Sequence, residues 1–184
     1  MAFKATKGQG SFRIEVEPYE LKNLIQTLNK LDKLDKESQG RVRDAAQPLS
    51  KRLAGQLMMF GGSSPTPQTK LVLQSMLTPR DRLIRVDLGG PKKVGRPYGG
   101  TASKSGKGNK VGRTAAPAGA LLWGSEYGSH SGIDRAGRKY SNRFKAPQNR
   151  SGYWINDAVD YYTPIVAKEY IAVVQGIIND LRLK

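Results

Sequence analysis

Apolar residues recur along this chain with two periods. Phe12, Ile14 and Val16 alternate with Arg13 and Glu15, the two-residue period of a strand with one buried face. From Leu21 the period lengthens. Leu21, Leu24, Ile25, Leu28 and Leu31 form a helical stripe, with Lys22, Asn23, Gln26 and Lys30 outside it, and Pro18 suits the first helical position. A second stripe begins near Lys36 or Gly40 and takes in Val42, Ala45, Ala46, Leu49, Leu53, Leu57 and Phe60. It continues through Pro48, which predicts one kinked helix rather than two. Gly61-Gly62 stops it. Between Thr69 and Leu77 the apolar residues fit helix and strand alike. Ile84, Val86 and Leu88 alternate with Arg85 and Asp87, a further strand over 83–88.

Leu121 to Tyr127 contains Trp123 and Tyr127, flanked by Gly124 and Gly128. Aromatic residues favour a pleated, half-buried surface, so this stretch predicts a strand followed by a tight turn. Gly152-Tyr153-Trp154-Ile155 predicts another. Ala158, Val159, Tyr162, Val166, Tyr170, Val173, Ile177 and Leu181 then form the stripe of a C-terminal helix. Asn156 is placed to cap its start, and Thr163-Pro164 marks a kink or a second start. Together these patterns predict an α+β fold in one domain spanning 1–184. A small, mostly antiparallel sheet from 11–16, 83–88, 121–127 and 152–155 packs against long N-terminal helices and a C-terminal helix.

Charge changes the picture. The 184 residues carry a formal net charge of +16, which implies a polyanionic neighbour. Much of the excess falls in two segments. Gly89–Gly119 is rich in glycine, and its charges are Lys92, Lys93, Arg96, Lys104, Lys107, Lys110 and Arg113, with no acid among them. Such a stretch buries too little apolar surface to offset the entropy of ordering it, so it reads as a long mobile loop. The strands on either side are expected to pair across it. Residues 129–151 form a second basic loop, with Arg135, Arg138, Lys139, Arg143, Lys145 and Arg150 against Asp134 alone. Lysines and arginines on such backbone suit sequence-blind, salt-sensitive phosphate contact. Few aromatics are interleaved with these cations, Tyr98 and Tyr140 being the tyrosines, and that scarcity argues against base-stacking recognition of single strands.

Catalytic and metal chemistry is poorly supplied. The absence of cysteine removes disulfides, thiolate sites and thiol nucleophiles, and a single His130 cannot form a histidine-pair metal site. His130, the one candidate base for a serine hydrolase, lies in a Ser/Gly-rich loop. Gly100 and Gly106-Lys107 approximate a phosphate-binding loop, but the spacing is one too long and Gly108 replaces the required hydroxyl. Asp157 and Asp160 read as a solvated helix face near an N-terminus. No enzyme and no cofactor are expected. No apolar run is long enough to span a bilayer, and the first residues lack a signal-peptide core.

Trp123-Gly124-Ser125-Glu126-Tyr127-Gly128-Ser129, followed by a variable loop and then Gly152-Tyr153-Trp154-Ile155 leading into a helix, resembles the neck and tail-completion proteins of long-tailed bacteriophages. That family is related to the minor tail protein Z of lambda-like phages. The order of N-terminal elements is similar too. The resemblance implies a non-enzymatic virion protein at the head–tail junction, assembled in the bacterial cytoplasm. Such proteins form a ring, hexameric by the resemblance, between a connector or stopper and the tail terminator or tail tube. Genomic double-stranded DNA passes through, and membranes play no part. On this reading Trp123, Glu126, Tyr127, Tyr153 and Trp154 are core or subunit-interface residues. Glu126 pairs with a basic residue of its own or a neighbouring chain, or is an ordinary turn carboxylate. The loop cations face the lumen or a partner. The alternative is a cellular protein that binds structured RNA or DNA without regard to sequence.

Overall fold

The computed structural model describes residues 11–15, 36–97, 115–133 and 135–182. The fold is α+β. In chain order its elements are β1 (Ser11–Glu15), α1 (Lys36–Gly62), α2 (Thr69–Leu73), β2 (Arg85–Gly89), β3 (Lys93–Pro97), β4 (Ala115–Pro117), α3 (Ala118–Tyr127), β5 (Gly132–Ile133), β6 (Lys139–Tyr140) and α4 (Ile155–Arg182). The expected helix over Leu21–Leu31 lies outside the described residues, as do the N-terminal arm and Lys104, Lys107, Lys110 and Arg113.

The two long helices carry the frame. Arg41 pairs with Asp180 and Arg52 with Glu169, so α1 and α4 run antiparallel. Such exposed pairs contribute little, about 0–1 kcal/mol each. The packing beneath them dominates. Leu53 and Leu57 of α1 are fully buried, as are Val166, Tyr170 and Val174 of α4, at about 1.5–3 kcal/mol for each large apolar side chain. Burial pushes the Tyr170 hydroxyl up to about 12, and that hydroxyl donates to the carbonyl of Arg82. Both helices are continuous through a proline, Pro48 in α1 and Pro164 in α4. Each proline is exposed, and so are Asp44 and Asp160 four residues earlier. The carbonyls left without an intrahelical donor therefore lie on the water side.

β1 and β2 pair antiparallel, with Ile14 opposite Val86 and Arg13 opposite Asp87. Ile84, Val86 and Leu88 all face the core, as their alternation predicts. On the other face Arg85 bridges Asp81 and Asp87. The ambiguous stretch Thr69–Leu77 divides: 69–73 is helical, and Leu77 exchanges both backbone hydrogen bonds with Asp87 at 2.9 Å.

Three expectations are corrected. Residues 121–127 are helix, not strand. Ala118, Leu121, Leu122, Ser125 and Glu126 are buried side chains of this helix, and that spacing of three and four outweighs the strand preference of the aromatics. Residues 152–155 are a turn leading into α4, because Gly152 has φ +90°, incompatible with extended backbone. The four-stranded sheet is thus absent among the described residues, replaced by two-stranded sheets β1–β2, β3–β4 and β5–β6. The 89–119 segment is closed by its own arms, with Lys93 opposite Pro117 and Pro97 opposite Ala115. The flanking 83–88 and 121–127 do not pair across it. Among the described residues no helix is long and apolar enough to cross a membrane.

Candidate functional site

The residues that stood out in sequence meet where α3 ends and α4 begins. α3 buries one face, and Glu126 lies on it at 2% exposure. Its carboxylate accepts the backbone N–H groups of Trp154 (3.2 Å), Ile155 (2.8 Å) and Asn156 (3.1 Å). A helix leaves its first N–H groups without intrahelical partners, and a negative charge there is favoured by the helix dipole. Glu126 is therefore a cap supplied by another element. Burial pushes its carboxyl above the ordinary value, against the lowering effect of the N–H groups it accepts. Glu126 is thus a buried core residue, but neither pairing with a basic residue of its own chain nor the plain turn role describes it. Its hydrogen bonds go to main chain rather than to a basic side chain, and it is no ordinary turn carboxylate. Asn156 is likewise not the cap. Its backbone N–H is taken by Glu126, and its side chain donates to the Ser151 carbonyl (2.9 Å) and the Tyr127 hydroxyl (3.3 Å).

The glycines around this joint are set by close approach. A Cβ on Gly152 would lie 2.0 Å from Glu126 Oε1, and one on Gly124 would lie 2.1 Å from the Phe144 ring. Gly152 thus leaves room for the carboxylate, and Gly124 lets Phe144 lie against α3. Thr66, next to α2, donates to the Ser125 carbonyl at 2.8 Å. Trp154 is fully buried, whereas Tyr153 is half-buried and donates to the Pro147 carbonyl at 2.8 Å.

Trp123 turns the other way. It is 48% exposed and stacks on Tyr127, ring centroids 5.9 Å apart at 15°. A core position for Trp123 is thereby corrected: position 123 falls on the outward face of a helix whose inward face is 118, 121, 122, 125 and 126.

The segment leaving this joint is fastened at its base. Ser129 N–H donates to the Ala146 carbonyl (3.1 Å) and Asn149 N–H to the Tyr127 carbonyl (2.9 Å). The Asn142 side chain donates to the Ser129 and Ala146 carbonyls at 2.6 and 2.7 Å and accepts the Ser129 hydroxyl and the Phe144 N–H. Beyond that base, β5 and β6 form a short hairpin. Arg135, Arg138, Lys139, Arg143, Lys145 and Arg150 are all exposed. A cavity of about 320 Å³ opens beside the hairpin, lined by Ser129, His130, Tyr140, Ser141, Arg143 and Phe144.

The structure thus gathers Glu126, Tyr127, Tyr153 and Trp154 into one joint and collects Arg135, Arg138 and Lys139 on the adjoining hairpin. Lys92 and Lys93 are exposed at the start of the other basic segment, and Lys92 donates to the Gln74 carbonyl. Arg96 is on β3. Sequence reasoning missed Asn142, Phe144 and Thr66. A lone Phe in a polar basic run was a usable signal. Nothing in its residue type marks Asn142, whose partners are Ser129, Phe144 and Ala146. Among the described residues, no group of three or more His, Cys, Asp or Glu could hold a metal ion. No protein-family model matches the chain, and no curated protein or solved structure does either.

Proposed function

We propose that this chain is a non-enzymatic structural protein of the bacteriophage head–tail junction, assembling as a ring that joins connector to tail tube with duplex DNA passing through. The observation that carries the reading is Trp123. Within a sequence signature resembling the neck and tail-completion family, the aromatic side chain is held outward at 48% exposure by a helix whose opposite face is locked in the core. An indole presented on a rigid element is suited to a subunit contact, where aromatic residues dominate binding energy. The exposed cations at 135–150 suit screened, sequence-blind contact with a passing phosphate backbone. Electron microscopy of the virion tests the reading: a ring of this chain at the head–tail junction is expected, and its absence from particles would remove it. Trp123→Ala is expected to shift the assembled mass toward monomer while leaving the fold intact.

A second reading, a cellular nucleic-acid-binding protein, is favoured by one specific feature. The cations of 135–150 are displayed on a hairpin with a fastened base, so a single copy already presents them. Strong, salt-dependent binding of structured RNA or DNA by the monomer would select this reading over the ring.

A further inference from the structure

The cavity beside the β5–β6 hairpin brings together three rings that are scattered in sequence. His130, Tyr140 and Phe144 all line it, with Arg143, Ser129 and Ser141 completing the wall. We infer that this cavity takes one unpaired base of a nucleic-acid strand, with Arg143 at the adjoining phosphate. The inference rests on the nucleic-acid contact common to both readings above and does not require the ring.

First, size: about 320 Å³ falls at the lower end of small-ligand sites, which run about 300–1,000 Å³. Second, the rings are prearranged. The Tyr140 hydroxyl lies 3.0 Å from His130 Nε2, with the rings edge-to-face at 65°. The Tyr140 phenol passes over Gly132, where a Cβ would lie 2.6 Å from its oxygen. Phe144 is held from behind by Gly124 and through its N–H by Asn142. Third, the backbone of the wall is fixed. The Arg143 carbonyl accepts from Gln68 Nε2 at 2.6 Å, and the Asn142 side chain ties Ser129 to Ala146. A site already in its bound shape avoids ordering costs on binding. Fourth, cations accompany the lining: Arg143 is part of it, and Lys139 and Lys145, next in the chain to Tyr140 and Phe144, are exposed. Aromatic faces inside a basic track are what single-strand binding uses, because every base has a face to stack. A duplex keeps its bases paired and stacked, so it would touch the cations alone.

The full chain is titrated with short oligothymidylate, the same strand carrying an abasic site at every position, and a duplex of equal length. Affinity is read by fluorescence anisotropy. The ring signals of His130, the only histidine in the chain, are followed by NMR. The intact single strand is expected to bind about fivefold to a hundredfold more tightly than the abasic strand, the range for one stacked base, and to move the His130 signals. Tyr140→Ala is expected to remove that difference, Tyr140→Phe to keep it, and Arg143→Gln to weaken intact and abasic strands together. Circular dichroism of each variant separates a lost site from a lost fold. Equal binding of intact and abasic strands with unmoved His130 signals would overturn the cavity while leaving the cationic contact in place. No salt-sensitive binding of any of the three would overturn both.

Discussion

At the α3–α4 joint one carboxylate is buried and accepts three main-chain N–H groups. In the hairpin segment that leaves the same joint, six cations are exposed to water. The two regions adjoin in the chain and handle charge in opposite ways. Glu126 can be buried because the start of α4 offers donors that would otherwise be unsatisfied, so each side relieves a desolvation cost of the other. The hairpin cations stay exposed, and neutral groups fasten the base of the loop: Asn142, Ser129 and the carbonyls of Tyr127 and Ala146. Stability in this half of the molecule is therefore expected to depend on one buried acid and scarcely at all on the many exposed bases. Polyanion binding is expected to show the reverse dependence.

The largest test of that contrast is Glu126→Ala. It strands buried N–H groups at about 1–3 kcal/mol each, so a loss of about 3 kcal/mol or more is expected in urea or thermal unfolding. For a domain of this size that corresponds to a fall in Tm of about 6–12 °C. A loss below about 1 kcal/mol would break the contrast. Gly152→Ala comes next. It must hold alanine at φ +90° and push a Cβ into the Glu126 carboxylate, for an expected loss of about 2 kcal/mol or more. Because both substitutions disrupt one contact, the double variant should lose clearly less than the sum of the two. Full additivity would mean that Gly152 acts independently of the cap.

A smaller effect comes from pH. The folded carboxyl of Glu126 titrates above its ordinary value of 4.5, so the folded state binds its proton more tightly than the unfolded chain does. Its proton-linked stabilisation is full below that ordinary value and is lost as pH rises through the raised folded value. Asp81 behaves oppositely. Burial pushes its carboxyl up, but the Arg82 N–H and the Arg85 guanidinium together bring it below the ordinary range. Its contribution is therefore present above the ordinary carboxylate value and lost as pH falls through the lowered one. Unfolding measured from pH 4 to 7 on wild type, Glu126→Gln and Asp81→Asn should give difference curves of opposite slope. Equal slopes would contradict the assignment.

The smallest stability effect is expected where the charge is greatest. Replacing Arg135 and Lys139 together by Gln should change stability by no more than about 0.5 kcal/mol, as for exposed surface positions. The same variant should flatten the salt dependence of duplex binding, by a slope of about 0.9 for each phosphate contact removed. A large loss of stability would show that the hairpin bases do structural work after all.

How much of this was legible in the sequence depends on how local each signal was. The α+β class, the long helix through Pro48, the C-terminal helix and the core face of β2 follow from periodicity, because which residues share a face is fixed by backbone geometry. The importance of 123–129 and 152–155 was visible too, in their density of aromatic and glycine residues. Their conformation departs from the strand preference of the aromatics, because the spacing of Ala118, Leu121, Leu122 and Ser125 makes the first a helix and Gly152 at φ +90° makes the second a turn. The excess of positive charge and its concentration in two segments were determined by composition alone. Only the tertiary structure decided that Glu126 would cap a helix formed about thirty residues later, that Trp123 would face out while Trp154 faces in, and that His130, Tyr140 and Phe144 would share one cavity. The physical reason is common to all three. A charge, an indole or a ring has no fixed role by residue type, and each acquires one from the main-chain donors, apolar walls or empty space that distant parts of the chain bring against it.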